Sequence, residues 1–376
     1  GDPPFALGFP GGLAELFRGL GMITGASRAP LGLTLVYGTR PEAVKLGPLI
    51  KPLQAAGLRL RLLEPGQHTS LLDGFHLPDA ECLQVPASGD PYQYVAALSD
   101  VLETNLGSDP VLVQGDTASA FAAGLQARLQ GLPLIHLDAG IRSHDWTQPW
   151  PEERFRVDLD RWASLHLAPT DHCARNLAQE GMVDTVHVTG NTGIDALRLA
   201  WPYPGLPHPD RFLLVTLHRR ETMGSPLRAI YQGLVLVAQR HPDLTIRWPV
   251  HPNPAINESL WCLEPPANFW LGDPAPRRLF LALLAAATVV ITDSGGVQEE
   301  AAALGIPCVI ARDLTDRPES VTSGHALVAG RTTDGILTAV EAALDHSLRT
   351  TPSPCFGDGH ASDRIVPLLQ TFLLHL

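Results

Sequence analysis

The sequence predicts an α/β protein built from two doubly wound parallel-sheet domains that face a cleft. Three observations carry this. Short apolar runs rich in Leu, Val and Ile alternate with stretches of helical apolar spacing along most of the chain. The loops after the strand-like runs are polar or glycine-containing, as at Gly38-Thr39-Arg40-Pro41 and Asp293-Ser294-Gly295-Gly296. Between two series of such units lies Trp201 to Pro209, with four prolines in nine positions, which reads as a linker. At 376 residues the chain is long enough for two domains that each bury a core. The expected division is residues 1–30 as an N-terminal extension, 31–203 as a first Rossmann-like domain, 204–352 as a second, and 353–376 as a helical C-terminal segment packing back on the first.

The elements follow in order. Leu31–Tyr37 is a β-forming run broken by Gly38, and Glu42–Ala56 has helical spacing with Pro41 suited to a first turn. Val111–Val113 reads as a short buried strand, Thr117–Gln130 as an Ala/Leu-rich helix closed by Gly131, and Leu134–Leu137 as another strand. The second series runs strand Phe212–Leu217, helix Pro226–Arg240, strand Leu244–Trp248, helix Arg278–Ala286, strand Thr288–Thr292, helix Val297–Leu304 and strand Pro307–Ala311. In sheets of this kind, ligands bind outside the carboxyl ends of the strands.

Composition narrows the function. The net charge is −12, and of 27 basic residues only Lys45 and Lys51 are lysines. So acidic a surface argues against a nucleic-acid or anionic-membrane partner, and any anion must be held by a few placed cations. Five scattered cysteines, Cys82, Cys173, Cys262, Cys308 and Cys355, read as reduced core thiols of a cytoplasmic protein. The longest apolar run, Leu279–Ile291, spans 13 residues, short of the about 18–20 that cross a bilayer. The first 30 residues lack the basic start and continuous apolar core of a signal peptide. No H-E-x-x-H or Cys/His cluster supports a metal, and neither a dinucleotide glycine fingerprint nor a P-loop is present, so no cofactor is expected.

Four groups at strand ends carry chemistry. Arg40 stands at a strand end beside a helix N-terminus, suited to phosphate or carboxylate. Ser294 is placed to cap the helix that follows it, and Gly295 and Gly296 would let a ligand approach its backbone N–H groups, with Glu300 one turn on as a ribose acceptor. Asp-Ser-Gly-Gly also surrounds the nucleophile of trypsin-like proteases, but here it lies between a buried strand and a helix. Asp116, Asp138 and Glu152-Glu153 form an acidic group: the first two follow consecutive strands, and converging carboxylates suit acid–base work on a carbohydrate. His218, Arg219 and Arg220 open a further loop as an anion site.

Taken together, these motifs resemble the non-hydrolysing UDP-N-acetylglucosamine 2-epimerases, which have the two-domain glycosyltransferase-B (GT-B) fold. The matching segments are GTRPEAVKLGPLI (38–50), GQH (66–68), VLVQGDTASA (111–120), HLDAGIRSHD (136–145), PWPEE (149–153), VTGNTGIDAL (188–197), LLVTLHRRE (213–221), WPVHPNP (248–254), TDSGGVQEEAAALGIPCV (292–309) and DRPE (316–319). The resemblance implies that Asp116, Asp138 and Glu152 are catalytic, with His218. It implies that Arg40, His218, Ser294, Gly295, Gly296, Glu300 and Arg317 hold the UDP moiety, and that Lys45, Gln67, Arg156 and His251 complete the substrate contacts. It further implies elimination of UDP across C1–C2 and re-addition with inversion at C2, no metal or other cofactor, and a homodimer. A hydrolysing epimerase, a GT-B glycosyltransferase and a catalytically weak UDP-sugar-binding protein are the alternatives.

The chain departs from the family pattern at four places. Asp138 stands where the family has Glu, one methylene shorter, and a shift of about 1 Å at a catalytic group can cost about 100-fold in rate. Phe155 replaces an Asn. Thr69-Ser70 follow GQH where an Arg is usual, which bears on the second, activating UDP-GlcNAc site of bacterial members. Gly272–Arg277 offers no clear aromatic to stack on uracil.

Overall fold

The computed structural model describes residues 31–66, 77–203, 211–251, 254–260 and 264–376. The expected N-terminal extension, Gln67, Thr69, Ser70, Cys262 and most of the proline-rich linker lie outside the described residues.

Two parallel sheets form the framework. The first contains β1 (Gly32–Val36), β2 (Arg59–Glu64), β3 (Glu81–Cys82), β4 (Val111–Gln114), β5 (Leu134–Leu137), β6 (Leu165–Ala168) and β7 (Val186–Val188), in the order β3-β2-β1-β4-β5-β6-β7. The second contains β8 (Phe212–Thr216), β9 (Thr245–Pro249), β10 (Phe269–Gly272), β11 (Val289–Thr292), β12 (Cys308–Ile310) and β13 (Ala326–Val328), in the order β10-β9-β8-β11-β12-β13. The order reverses between β1 and β4 in one sheet and between β8 and β11 in the other. At these switch points successive loops splay apart and leave a crevice at the strand carboxyl ends.

The central strands are apolar on both faces because helices cover both. Leu33 and Leu35 of β1 join one core cluster while Val36 joins the opposite one. Likewise Leu213 and Val215 of β8 face one side and Phe212 and Leu214 the other. A period of two with no polar face is what a sheet buried on both sides requires.

The helix Arg40–Ala55 begins before the apolar spacing does. Thr39 is its N-cap, and the Glu42 side chain reaches back to accept the Thr39 N–H at 2.8 Å. The helix Ala361–Leu374 sets Ala361, Ile365, Leu369 and Leu373 into the core under β1. Its first N–H groups are capped from afar, Ala361 and Ser362 donating to the Asp195 carboxylate at 2.9 and 2.7 Å. The helix Glu152–Trp162 escapes the sequence pattern because seven of its eleven residues are charged. It packs through an aromatic face instead: Phe155 stacks on Phe121 with centroids 4.2 Å apart and meets Tyr92 edge-on at 5.5 Å. The departure at position 155 is therefore a packing residue.

The cysteine expectation needs correction. Cys173 and Cys308 are buried, but Cys82 is exposed and Cys355 only partly covered. Cys82 ends the two-residue edge strand β3, where nothing packs over it. No helix among the described residues is long and apolar enough to cross a membrane.

Gly140 illustrates how tightly the loop after β5 is held. Its φ is +83°, and a Cβ there would lie 2.3 Å from the Cys173 carbonyl oxygen. Gly140→Ala is expected to lower unfolding free energy by about 2 kcal/mol or more, read by urea denaturation.

Candidate active site

The carboxyl ends of β1, β4 and β5 place Arg40, Asp116 and Asp138 on one rim. The ends of β8, β9 and β11 place His218, His251 and Ser294 on the other.

Asp138 is the most constrained of the acids. It is 3% exposed with φ at +65°, a left-handed conformation that disfavours side-chain-bearing residues. Its Oδ2 accepts from Lys45 Nζ at 2.5 Å and from Gln114 Nε2 at 2.8 Å, while Oδ1 is buried with no hydrogen-bond partner. Asp116 is more open and pairs with the Arg156 guanidinium. Glu152 opens its helix beside Asp116. Burial, then the neighbouring Asp116 charge, hold its carboxyl above the usual range, against the pull of Arg219 and Arg156. Glu153 has a different task. Its carboxylate accepts the N–H groups of Ser143 and His144 at 3.0 Å and lies 3.4 Å from Arg156, fixing the loop after β5.

On the second rim Asp293, fully buried, accepts from the backbone N–H groups of His218 and Arg219 and from the Thr222 hydroxyl at 2.8 Å. This shapes the turn after β8 and presents the His218 ring, which is partly exposed and stacks on His251 with centroids 5.8 Å apart. Ser294 occupies the N-cap position of the helix Gly295–Leu304, but its hydroxyl makes no capping hydrogen bond. The expected cap is thus not formed. Nothing lies within 4 Å of where a Gly296 Cβ would stand, whereas one at Gly295 would be 3.3 Å from the Arg317 guanidinium. Glu300 is engaged by both Nη atoms of Arg277. Arg40 sits near this pair, and burial followed by repulsion from Arg277 lowers its pKa.

Ion pairs cross between the rims. Lys45 Nζ lies 3.1 Å from Glu299 as well as contacting Asp138. Arg156 reaches Asp316 at 3.1 Å, and Thr170 donates to Glu319. Asp316 is also held by Arg312 at 2.8 Å and by Arg317 at 3.0 Å, and Arg317 donates to Glu299 at 2.6 Å. The sequence suggested that scarce positive charge gathers around one bound anion. Lys45, Arg156 and Arg317 each pair with two or more carboxylates as well, because a buried cation without a counter-charge is costly.

Most predicted residues thus meet at one cleft; Gln67 falls outside the described residues. Sequence reasoning missed Gln114, Glu299, Arg312, Asp316 and Glu319. All but Arg312 lie in segments that carry the resemblance, and their local sequence does not show which side chains they pair with. Among the described residues no group of three or more His, Cys, Asp or Glu has the arrangement to hold a metal.

A family model described as UDP-N-acetylglucosamine 2-epimerase matches residues 53–370. A Yersinia pestis protein named UDP-N-acetylglucosamine 2-epimerase is 35% identical over 367 residues, covering 89% of this chain and 97% of its own. Among solved structures, the Neisseria meningitidis UDP-GlcNAc 2-epimerase bound to UDP-GlcNAc superposes with a TM-score of 0.81 at 31% identity, covering 91% of this chain and all of that one. An S. aureus protein solved with UDP gives a TM-score of 0.84 at 32% identity, covering 92% and 98%. The two sheets therefore have the GT-B arrangement of those neighbours, and the chain belongs to the UDP-N-acetylglucosamine 2-epimerase family.

Proposed function

We propose that this protein interconverts UDP-GlcNAc and UDP-ManNAc without hydrolysing them, and that Asp116, Asp138 and Glu152 carry the proton transfers. The observation that carries the reading is the placement of these three acids on one rim, facing a rim of backbone N–H groups, His218 and arginines. A hydrogen at C2 of the sugar is too weakly acidic for simple removal, so UDP departs first in the sense of charge: it leaves C1 with the bonding electron pair while the C2 proton passes to a carboxylate. The products are UDP and a sugar with a C1–C2 double bond. UDP then adds back at C1, and a proton reaches C2 from the opposite face. Inversion at C2 requires proton carriers on two faces, which one acid cannot supply. Arg40, His218, Ser294, Gly295, Gly296, Glu300 and Arg317 are the proposed UDP contacts, with Lys45, Arg156 and His251 completing them, and cations near the diphosphate stabilise the departing charge.

The proposal extends to a homodimer, as the resemblance implies, and to the cytoplasm, consistent with four unpaired cysteines among the described residues.

Incubation with UDP-GlcNAc in D2O should place deuterium at C2 and yield UDP-ManNAc by proton NMR. Binding without exchange at C2 would overturn the reading, and free ManNAc would favour a hydrolysing enzyme. Glu152→Gln should lower kcat by about 100-fold to 10,000-fold. Because burial and Asp116 make the Glu152 carboxyl retain its proton to higher pH, the wild-type acid limb of kcat/KM should lie above the ordinary glutamate value of about 4.3 and disappear in that variant. Asp138→Glu restores the family residue, yet two donors already fit the shorter side chain. Turnover should fall about tenfold, and a rise would show that the site tolerates the longer acid.

A further inference from the structure

Beneath the loops that carry Asp116 and Asp138 lies a buried cluster that the proposed chemistry does not use. His136, in the middle of β5, is 0% exposed. Its Nδ1 stands 2.5 Å from Asp160 Oδ1 and its Nε2 stands 2.8 Å from the Gly115 carbonyl oxygen. The carbonyl can only accept. The other oxygen of Asp160 already receives the Gly140 N–H at 3.1 Å and an Arg142 Nη at 2.7 Å, which favours the carboxylate form. A neutral imidazole has one N–H, so either tautomer would set a nitrogen lone pair against an oxygen lone pair in a dry interior. We infer that His136 is a doubly protonated imidazolium in the folded protein and serves as a positioning residue, a charged strut that holds Gly115, next to Asp116, and Asp160, which holds Gly140, two residues past Asp138.

The functional half of this inference rests on the epimerase reading. The strut matters because both loops are conformationally demanding: φ is +68° at Gly115, +65° at Asp138 and +83° at Gly140. A non-glycine residue in that region is strained and persists only where the surroundings over-determine it. The bonds from His136 to Gly115 and from Asp160 to Gly140 supply that constraint from below, on the side away from any ligand.

The surrounding charges are consistent with a cation here. Asp160 on the helix Glu152–Trp162 faces it directly. Arg142 pairs with Asp160 and with Glu180, the latter at 2.7 Å. His166 on β6 donates Nε2–H to the Asp160 backbone carbonyl at 2.7 Å and meets the Thr185 hydroxyl at 2.9 Å, so it is satisfied as a neutral ring. Two cations, His136 and Arg142, therefore balance two carboxylates, Asp160 and Glu180. Burial opposes charge on His136, but Asp160 and the Gly115 carbonyl outweigh it and its pKa is raised. Since the folded value exceeds the unfolded one, this contribution is complete below histidine's ordinary pKa and is lost as pH rises through the raised value.

The test uses the full chain with 15N-labelled histidine, the His136 signals being assigned by their absence in His136→Gln. Both ring nitrogens should be protonated at about pH 7.5, where an ordinary histidine is neutral; a neutral ring at that pH overturns the charge assignment. In His136→Gln, kcat should fall about 100-fold while KM and UDP affinity stay within about threefold. Wild-type turnover in that variant, or a loss matched by weaker binding, overturns the positioning role. Should it fail to fold, Asp160→Asn is read in the same way, and a kcat loss at unchanged UDP affinity again supports the strut. If wild-type protein never exchanges the C2 hydrogen, the epimerase reading falls, while the nitrogen signals still decide the state of His136.

Discussion

A single ammonium group, that of Lys45, lies between the Asp138 carboxylate at the end of β5 and the Glu299 carboxylate on the helix after β11. One buried cation thus sets how the carboxyl ends of the two sheets face each other. Removing the ammonium would leave Asp138 without its ion-pair partner in a dry interior, a change that costs about 3–5 kcal/mol in comparable buried pairs. Arg156 repeats the device through Asp116 and Asp316, and Arg317, itself on the second side, pairs with Asp316 and Glu299, the acids that receive Arg156 and Lys45. The cleft is shaped by these paired charges. An anion that enters it meets cations already oriented by carboxylates, so much of the ordering that phosphate binding demands is built in beforehand.

Within that frame the acids differ in their surroundings. Asp138 is pressed against an ammonium and an amide, both on one oxygen. Glu152 is buried beside another carboxylate and resists ionisation. Neighbouring carboxyl groups in unlike environments are how one site both donates and accepts protons at one pH. Glu153, next in sequence, turns to a different side of the helix and ties down backbone N–H groups instead.

Much of this was legible beforehand. The strands β1, β8 and β11 announce themselves because a parallel strand covered on both faces must be a continuous apolar run, and that is a property of neighbouring residues. Arg40, Asp116, Asp138 and Ser294 were legible because chemistry at a switch point must sit one to four residues past such a run. The helix Glu152–Trp162 was not, since its burial comes from aromatic stacking with Tyr92 and Phe121, which are distant in sequence. Nor was the true environment of Lys45, Arg156 and Arg317. From sequence each is an available cation, and whether it is free depends on where the fold brings the carboxylates: Asp138 lies 93 residues from Lys45, Asp316 lies 160 from Arg156 and Glu299 lies 18 from Arg317.

By itself the sequence determined the α/β class, the two series of strands and helices, the family and the residue types at the strand ends. These follow from local periodicity and ordered motifs, which need no knowledge of the folded path. Only the tertiary structure decided which charges neutralise one another, that Asp138 adopts a left-handed backbone, and that His136 faces two acceptors at once. Those properties arise where burial removes water and forces each polar atom to find a partner wherever the chain has brought one. Partner choice in a dry interior is set by three-dimensional proximity, and proximity of that kind is not written in any stretch of neighbouring residues.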